Sequence, residues 1–269
     1  MSATVTVVLV NYRSLGNVEK RLASPAIAGQ RVFVVDNGDD PAGVSALCER
    51  YGATPVLLPE NRGFAAGVNA AVRAAGDSGL PWLLLNPDAE LDRASLDALL
   101  AALPGGDGVG PALVQADGRL QVGAGGGPLT LRSVVYYFLF LSHLFPWIPG
   151  IFLTRRQTRA TRRVDWLCMA CPVLTSDAFT RFGPIPEDEL VYAEDVAWGT
   201  AATLRGARFE LRADVVVRHP HGSSGSSDRW IGALERLCIR RLGGRRGKLA
   251  ATAMRIGLRM RRSIGRRVT

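Results

Sequence analysis

Pro81-Trp82-Leu83-Leu84-Leu85-Asn86-Pro87-Asp88-Ala89-Glu90-Leu91 passes from a short apolar run directly into Asn-Pro-Asp. A run with no polar residue on either face reads as a strand covered on both sides that delivers polar side chains at its carboxyl end. Open α/β sheets bind ligands at that edge. Asp88 is therefore the first candidate binding residue, and the neighbouring sequence should supply the rest of a sheet.

It does so on the N-terminal side. Val5-Thr6-Val7-Val8-Leu9-Val10 ends in Asn11-Tyr12-Arg13, and Arg31-Val32-Phe33-Val34-Val35 ends in the turn-rich acidic loop Asp36-Asn37-Gly38-Asp39-Asp40. Thr54-Pro55-Val56-Leu57-Leu58 reads as a short third strand. Helices are predicted through Val18 and Leu22 and over residues 44–51, and this alternation implies a parallel sheet with right-handed crossovers. Asn61-Arg62-Gly63-Phe64 opens an alanine-rich helix whose small residues permit close approach and whose N-terminus attracts anions. Its spacing is neither that of a phosphate loop nor that of the dinucleotide fingerprint.

Downstream, a helix is expected over residues 94–103 with Asp92 as its cap, and a strand over 109–114. The glycine cluster at 123–127 reads as a mobile loop. Cys168-Met169-Ala170-Cys171 has the spacing of half a zinc site, but no second pair exists and its apolar flanks point to core packing in a buried strand. No internal repeat is present.

With 269 residues, 47% of them hydrophobic, the chain can bury a large core. Four cysteines are too few for a disulfide scaffold and fit a reducing compartment. The first strand begins with no basic segment or small-residue cleavage site before it, so the expected location is cytoplasmic. The net charge of +9 is uneven: residues 229–269 hold 13 Lys+Arg and one Glu, leaving −3 for residues 1–228. Two parts are expected, an α/β domain over 1–228 and a basic amphipathic helical tail over 229–269.

Taken in order, Val10-Asn11-Tyr12, Val35-Asp36-Asn37, Asn61-x-Gly63-Phe64-x-x-Gly67-x-Asn69, Leu85-Asn86-Pro87-Asp88 and Tyr192-x-Glu194-Asp195 resemble the motifs of family 2 inverting glycosyltransferases. The nearest likeness is to rhamnosyltransferase-like members of bacterial surface polysaccharide synthesis. The resemblance covers roughly residues 4–224 and implies a GT-A fold, a mixed and mainly parallel sheet flanked by helices.

It also implies a nucleotide-diphosphate sugar donor, best matched by dTDP-rhamnose, and a lipid-linked saccharide acceptor on polyprenyl diphosphate. Asp36 would contact the donor's base or ribose, with Asn11, Tyr12, Asn61, Gly63 and Asn86 lining the same pocket. Asp88 would hold Mg2+ or Mn2+, helped by His219 or, as second choice, His221. Asp195 would be the general base, with Glu194 supporting it. Two departures stand out: Asn86 replaces the first aspartate of the family's metal motif, and Ala197 replaces an acidic residue common after Glu-Asp-Val. They leave open a non-catalytic basic module on a degenerate fold. A nucleotidyltransferase is the other alternative, although the first-strand tail lacks the glycine- and lysine-rich loop a triphosphate would need.

Between Arg132 and Arg155 no Lys, Arg, Asp or Glu occurs, and seven aromatic residues do. Its length suits a membrane span, but a single crossing would put Asp88 and Asp195 on opposite sides of the bilayer. Residues 129–163 are therefore expected to form an interfacial element, with Arg155, Arg156, Arg159, Arg162 and Arg163 facing lipid phosphates. Burial in a homo-oligomer is the competing reading. In the tail, Leu249, Ala253, Ile256 and Met260 share one helical face and Arg255, Arg259, Arg262 and Arg266 another, which favours an anionic membrane surface over nucleic acid. Together these place the chain peripherally on the inner face of the plasma membrane.

Overall fold

The computed structural model describes residues 4–188, 192–220 and 227–265, the backbone alone at 227–229 and 262–265. In chain order its first half runs β1 (Thr6–Asn11), α1 (Leu15–Leu22), β2 (Arg31–Asn37), α2 (Pro41–Tyr51), β3 (Thr54–Leu58), α3 (Phe64–Ala75), β4 (Trp82–Leu84), α4 (Arg93–Ala102) and β5 (Gly108–Val114). Then follow β6 (Gly125–Gly126), α5 (Leu131–Phe138), α6 (Leu141–Leu144), β7 (Arg162–Val164), β8 (Trp166–Leu167), β9 (Val173–Leu174), α7 (Ala178–Phe182), α8 (Glu194–Leu204), β10 (Phe209–Arg218), α9 (Ser227–Leu242) and α10 (Gly244–Gly265).

Eight strands form one sheet in the order β3-β2-β1-β4-β9-β5-β10-β7. β1 pairs in parallel with β2 and β4, β2 with β3, and β5 with β10. Only β9 and β7 run against their neighbours. β1 is buried along its whole length and β2 at every position after Arg31, as their β-branched sequences require. The apolar run ending at Leu85 thus lies at the centre of the sheet. Local chemistry sets the helix ends: Asp40 accepts from the Gly43 N–H before α2, and Asp92 from the Ser95 N–H at 2.7 Å before α4. Asp88 is not the cap of α4.

The glycine cluster is not a mobile loop. β6 pairs with β8, and a Cβ on Gly126 would lie 1.9 Å from the Ile151 carbonyl oxygen and 2.6 Å from Trp166 Nε1. These glycines are there because backbone packs on backbone, which composition alone does not reveal. Gly126→Ala is expected to destabilise the fold by about 1–3 kcal/mol or more through overpacking, read from the midpoint of urea denaturation. The Cys168-to-Cys171 stretch forms a turn between β8 and β9, not a strand, and Cys171 is buried in the main core. Burial pushes the Cys171 thiol up to about 12, the setting of a packed thiol and not of a reactive thiolate.

A second core gathers Val134, Tyr137, Phe138 and Ile151 from the aromatic segment, Val196 and Ala197 from α8, and Leu234, Leu237, Ala250 and Met254 from the tail helices. The tail is a helical hairpin folded onto α5. At the crossing, a Cβ on Gly257 would lie 2.0 Å from the Phe138 carbonyl oxygen. The face of α10 that packs is therefore that of Ala250, Met254 and Gly257. Of the predicted apolar face only Ala253 is buried, while Leu249, Ile256 and Met260 are exposed. Among the described residues no helix is long and apolar enough to cross a membrane.

Candidate active site

β1, β2, β4, β5 and β10 end at one edge of the sheet, and there the polar residues predicted from their sequences meet. Beyond β4 the chain turns: the Asn86 N–H donates to the Ala170 carbonyl at 2.8 Å, and the Glu90 N–H to the Arg218 carbonyl at 2.7 Å. The second contact draws the end of β10 over Asp88. His219 Nε2 lies 3.4 Å from Asp88 Oδ1 and 3.3 Å from Asn86 Nδ2. His219 and Asp88 are thus neighbours; His221 lies outside the described residues.

On its other side His219 Nδ1 lies 2.9 Å from the buried Gln121 Oε1. An amide oxygen can only accept, so Nδ1 carries the hydrogen; in the neutral ring Nε2 then turns its lone pair toward Asp88 and the Asn86 amide. A carboxylate and a neutral imidazole nitrogen facing each other could hold a divalent cation. Sequence reasoning missed Gln121. Its one signal is an amide set between Leu120 and Val122, just after the Asp117-Gly118 turn; the Gln121 N–H returns to the Leu113 carbonyl at 2.7 Å and places the side chain under His219. Among the described residues no three His, Cys, Asp or Glu side chains gather at one point.

On the β1–β2 side, Asp36 is fully buried. Its carboxylate accepts from Asn11 Nδ2 at 3.3 Å and from the N–H groups of Asp39 and Asp40 at 3.1 and 2.9 Å. Asp36 therefore shapes the loop that carries Gly38. That loop leaves no space for a side chain, since a Cβ on Gly38 would lie 2.3 Å from the Glu60 carbonyl carbon. Asn61 Oδ1 accepts from Asn37 Nδ2 and from the Gly63 N–H, both at 3.0 Å, and so fixes the entry to α3. Tyr12 stays exposed at the rim.

Asp195 and Glu194 open α8, where acidic residues complement the helix dipole. Burial raises the Asp195 carboxyl to about 6, partly opposed by the Val196 N–H donating to Oδ1 at 2.8 Å. The Cys168 thiol is raised by burial and further by the charges of Asp195 and Glu194. The Cys168-to-Cys171 turn thus bridges the two halves, bonded to Asn86 through Ala170 and adjoining the acid pair through Cys168. Non-glycine residues with left-handed backbone are few among the described residues: Arg13, Phe140, Tyr192 and Ala193. Three of the four flank this edge, and two immediately precede Glu194. Such strain, of order 1–3 kcal/mol each, concentrates at functional sites. A further clasp, unforeseen from sequence, joins α3 to the segment before α8: Arg62 and Asn69 hold Glu187 at 3.0 and 2.9 Å.

No protein-family profile and no curated protein matches the chain. Solved structures do. A crystal structure of GalNAc-T7 with UDP, GalNAc and Mn2+ superposes with a TM-score of 0.55 at 12% identity, over 87% of this chain and 47% of that one. Two crystal structures of S. aureus TarS give a TM-score of 0.55 at 15% identity; 91% and 94% of this chain are covered, against 40% and 70% of theirs. The chain thus spans less than half of the longer neighbours. The mixed, mainly parallel sheet flanked by helices, which the motif resemblance implies, is the fold of these GT-A-type glycosyltransferases.

Proposed function

We propose that the protein is a metal-dependent inverting glycosyltransferase that moves a sugar from a nucleotide diphosphate to a hydroxyl group. The observation that carries this reading is the facing pair of Asp88 Oδ1 and His219 Nε2, 3.4 Å apart at the carboxyl edge of the sheet. The motif resemblance favours L-rhamnose from dTDP-rhamnose as donor. It favours a saccharide on polyprenyl diphosphate as acceptor, reached at the inner face of the plasma membrane.

Asp88 and His219 are the residues that would hold Mg2+ or Mn2+. A site of one carboxylate and one imidazole, completed by substrate phosphates and water, suits such ions. When bound, the ion acts as a Lewis acid toward the departing diphosphate. Asn86 contributes an amide to that site without adding charge. Asp36, through the loop it holds, forms the nucleotide wall with Asn11, Tyr12, Asn61 and Gly63. Asp195 accepts the proton of the acceptor hydroxyl as its oxygen attacks the anomeric carbon, and Glu194 orients the acceptor. One displacement inverts that carbon and needs no covalent enzyme intermediate.

The test is a thermal-shift panel of nucleotide sugars with and without Mn2+ or Mg2+. Stabilisation by one sugar nucleotide, dependent on metal, is expected. Stabilisation by nucleoside triphosphates alone would favour nucleotidyl transfer instead, and a panel with no response would favour a non-catalytic module. Gln121→Leu, which frees the His219 ring, should weaken metal binding about 10–100-fold by calorimetry. Gln121→Glu keeps an acceptor and should retain most of it.

A further inference from the structure

The aromatic segment splits into two parts with different fates. Tyr137 and Phe138 are buried in the second core, whereas Leu144 and Trp147 are 69% and 68% exposed and Phe145 is 41% exposed. An exposed tryptophan on a slack loop would fold back onto apolar surface; this one is held out. The side-chain amide of Gln157, itself 3% exposed, donates to the Pro146 and Ile148 carbonyls on either side of Trp147, both at 2.9 Å. Gln157 Oε1 in turn accepts from the Thr154 N–H at 2.9 Å. The Phe145 and Trp147 rings pack edge to face with centroids 5.5 Å apart. The result is a rigid apolar knuckle presented to the outside.

Basic residues surround it. The turn that supplies Gln157 leaves Arg156 and Arg159 exposed beside the knuckle. α10 reaches the same end of the molecule, because the Arg261 guanidinium lies over the Tyr137 and Phe140 rings at 4.6 and 5.1 Å. Within the predicted basic cluster the structure separates roles: Arg162 lies half-buried in β7 and Arg155 donates to the Leu120 carbonyl at 2.8 Å. Arg156 and Arg159 face outward beside the knuckle, and Arg163 is exposed on β7. A tryptophan at headgroup depth flanked by arginines is complementary to an anionic bilayer, which offers apolar depth and negative charge together.

We infer that residues 144–147, with Arg156 and Arg159, form a docking knuckle that inserts into the headgroup layer of an anionic membrane while the sheet stays in water. The inference rests on the membrane setting of the proposed reaction for its purpose, but its test reads no sugar transfer. The full chain is mixed with vesicles of phosphatidylcholine alone and of phosphatidylcholine with phosphatidylglycerol, and binding is followed by co-sedimentation and tryptophan emission. Binding to the anionic vesicles with a blue shift is expected, since Trp147 is far more exposed than the buried Trp82, Trp166 and Trp198.

The double variant Leu144→Ser/Trp147→Ser should bind roughly 10–100-fold more weakly and lose the blue shift. Arg156→Glu/Arg159→Glu should lose several-fold, on anionic vesicles only. All four side chains point outward, so both variants should keep the wild-type thermal midpoint. Undiminished vesicle binding by Leu144→Ser/Trp147→Ser overturns the inference and leaves the tail as the membrane contact. It is equally overturned if the wild type is a dimer by light scattering and that variant a monomer that still binds vesicles, because the knuckle is then a subunit contact. Vesicle binding as expected, with no response to any nucleotide sugar, would retain the knuckle and reject the transferase reading.

Discussion

Replacing Asp195 by asparagine is expected to lower the turnover number by about 10²–10⁴-fold, the usual contribution of a positioned general base, with donor affinity unchanged. The environment of Asp195 sets the pH dependence. Because burial raises its carboxyl to about 6, it is protonated at lower pH and cannot accept the proton of the incoming hydroxyl. kcat/KM should therefore fall about tenfold per pH unit below that value and level off above it. The same shift acts on stability. Between the ordinary carboxyl value of 3.8 and about 6 the folded chain holds a proton that the unfolded chain has released. The contribution of this group to stability therefore declines as pH rises through that window. Asp195→Asn removes the decline and should be at least as stable as wild type at neutral pH in urea denaturation, which separates loss of chemistry from loss of fold. Unchanged turnover in the variant, or a wild-type profile flat through pH 6, would take the base role from Asp195.

Asp88→Ala is expected to reduce binding of the nucleoside diphosphate in Mn2+ or Mg2+ to its metal-free level. Turnover should fall on the order of 10²-fold or more, since a Lewis acid contributes several kcal/mol at the leaving group. The fold should survive: the turn is held by backbone bonds from Ala89 to Asn86 and from Glu90 to Arg218, and α4 is capped by Asp92. Calorimetric titration with and without metal decides the matter. Equal affinity under both conditions in the wild-type protein would remove Asp88 and His219 as ligands.

The strands that make the sheet were legible because a β-branched run ending in polar residues, such as Val5 to Asn11, is stable in water only when both its faces are covered. The proximity of His219 to Asp88 was open to sequence only through a motif resemblance. Gln121, Gln157 and Glu187 were not legible, because an isolated polar residue carries no period and its partner lies far off in the chain, 98 positions for Gln121 and His219. Gly126 misled for a related reason. Glycine marks freedom in one setting and the closest packing in another, and the difference lies in Ile151 and Trp166, which follow it by 25 and 40 residues.

The second core also governs where this chain can be divided. Leu234, Leu237, Ala250 and Met254 sit in the same apolar cluster as Val196 and Ala197, the residues just after Asp195. A shortened protein ending before α9 would uncover that cluster from beneath and withdraw support from the helix that carries the carboxylate. The arginine-rich hairpin is thus a buttress as well as a charged surface, and its electrostatics are best altered by exchanging outward-facing side chains one at a time.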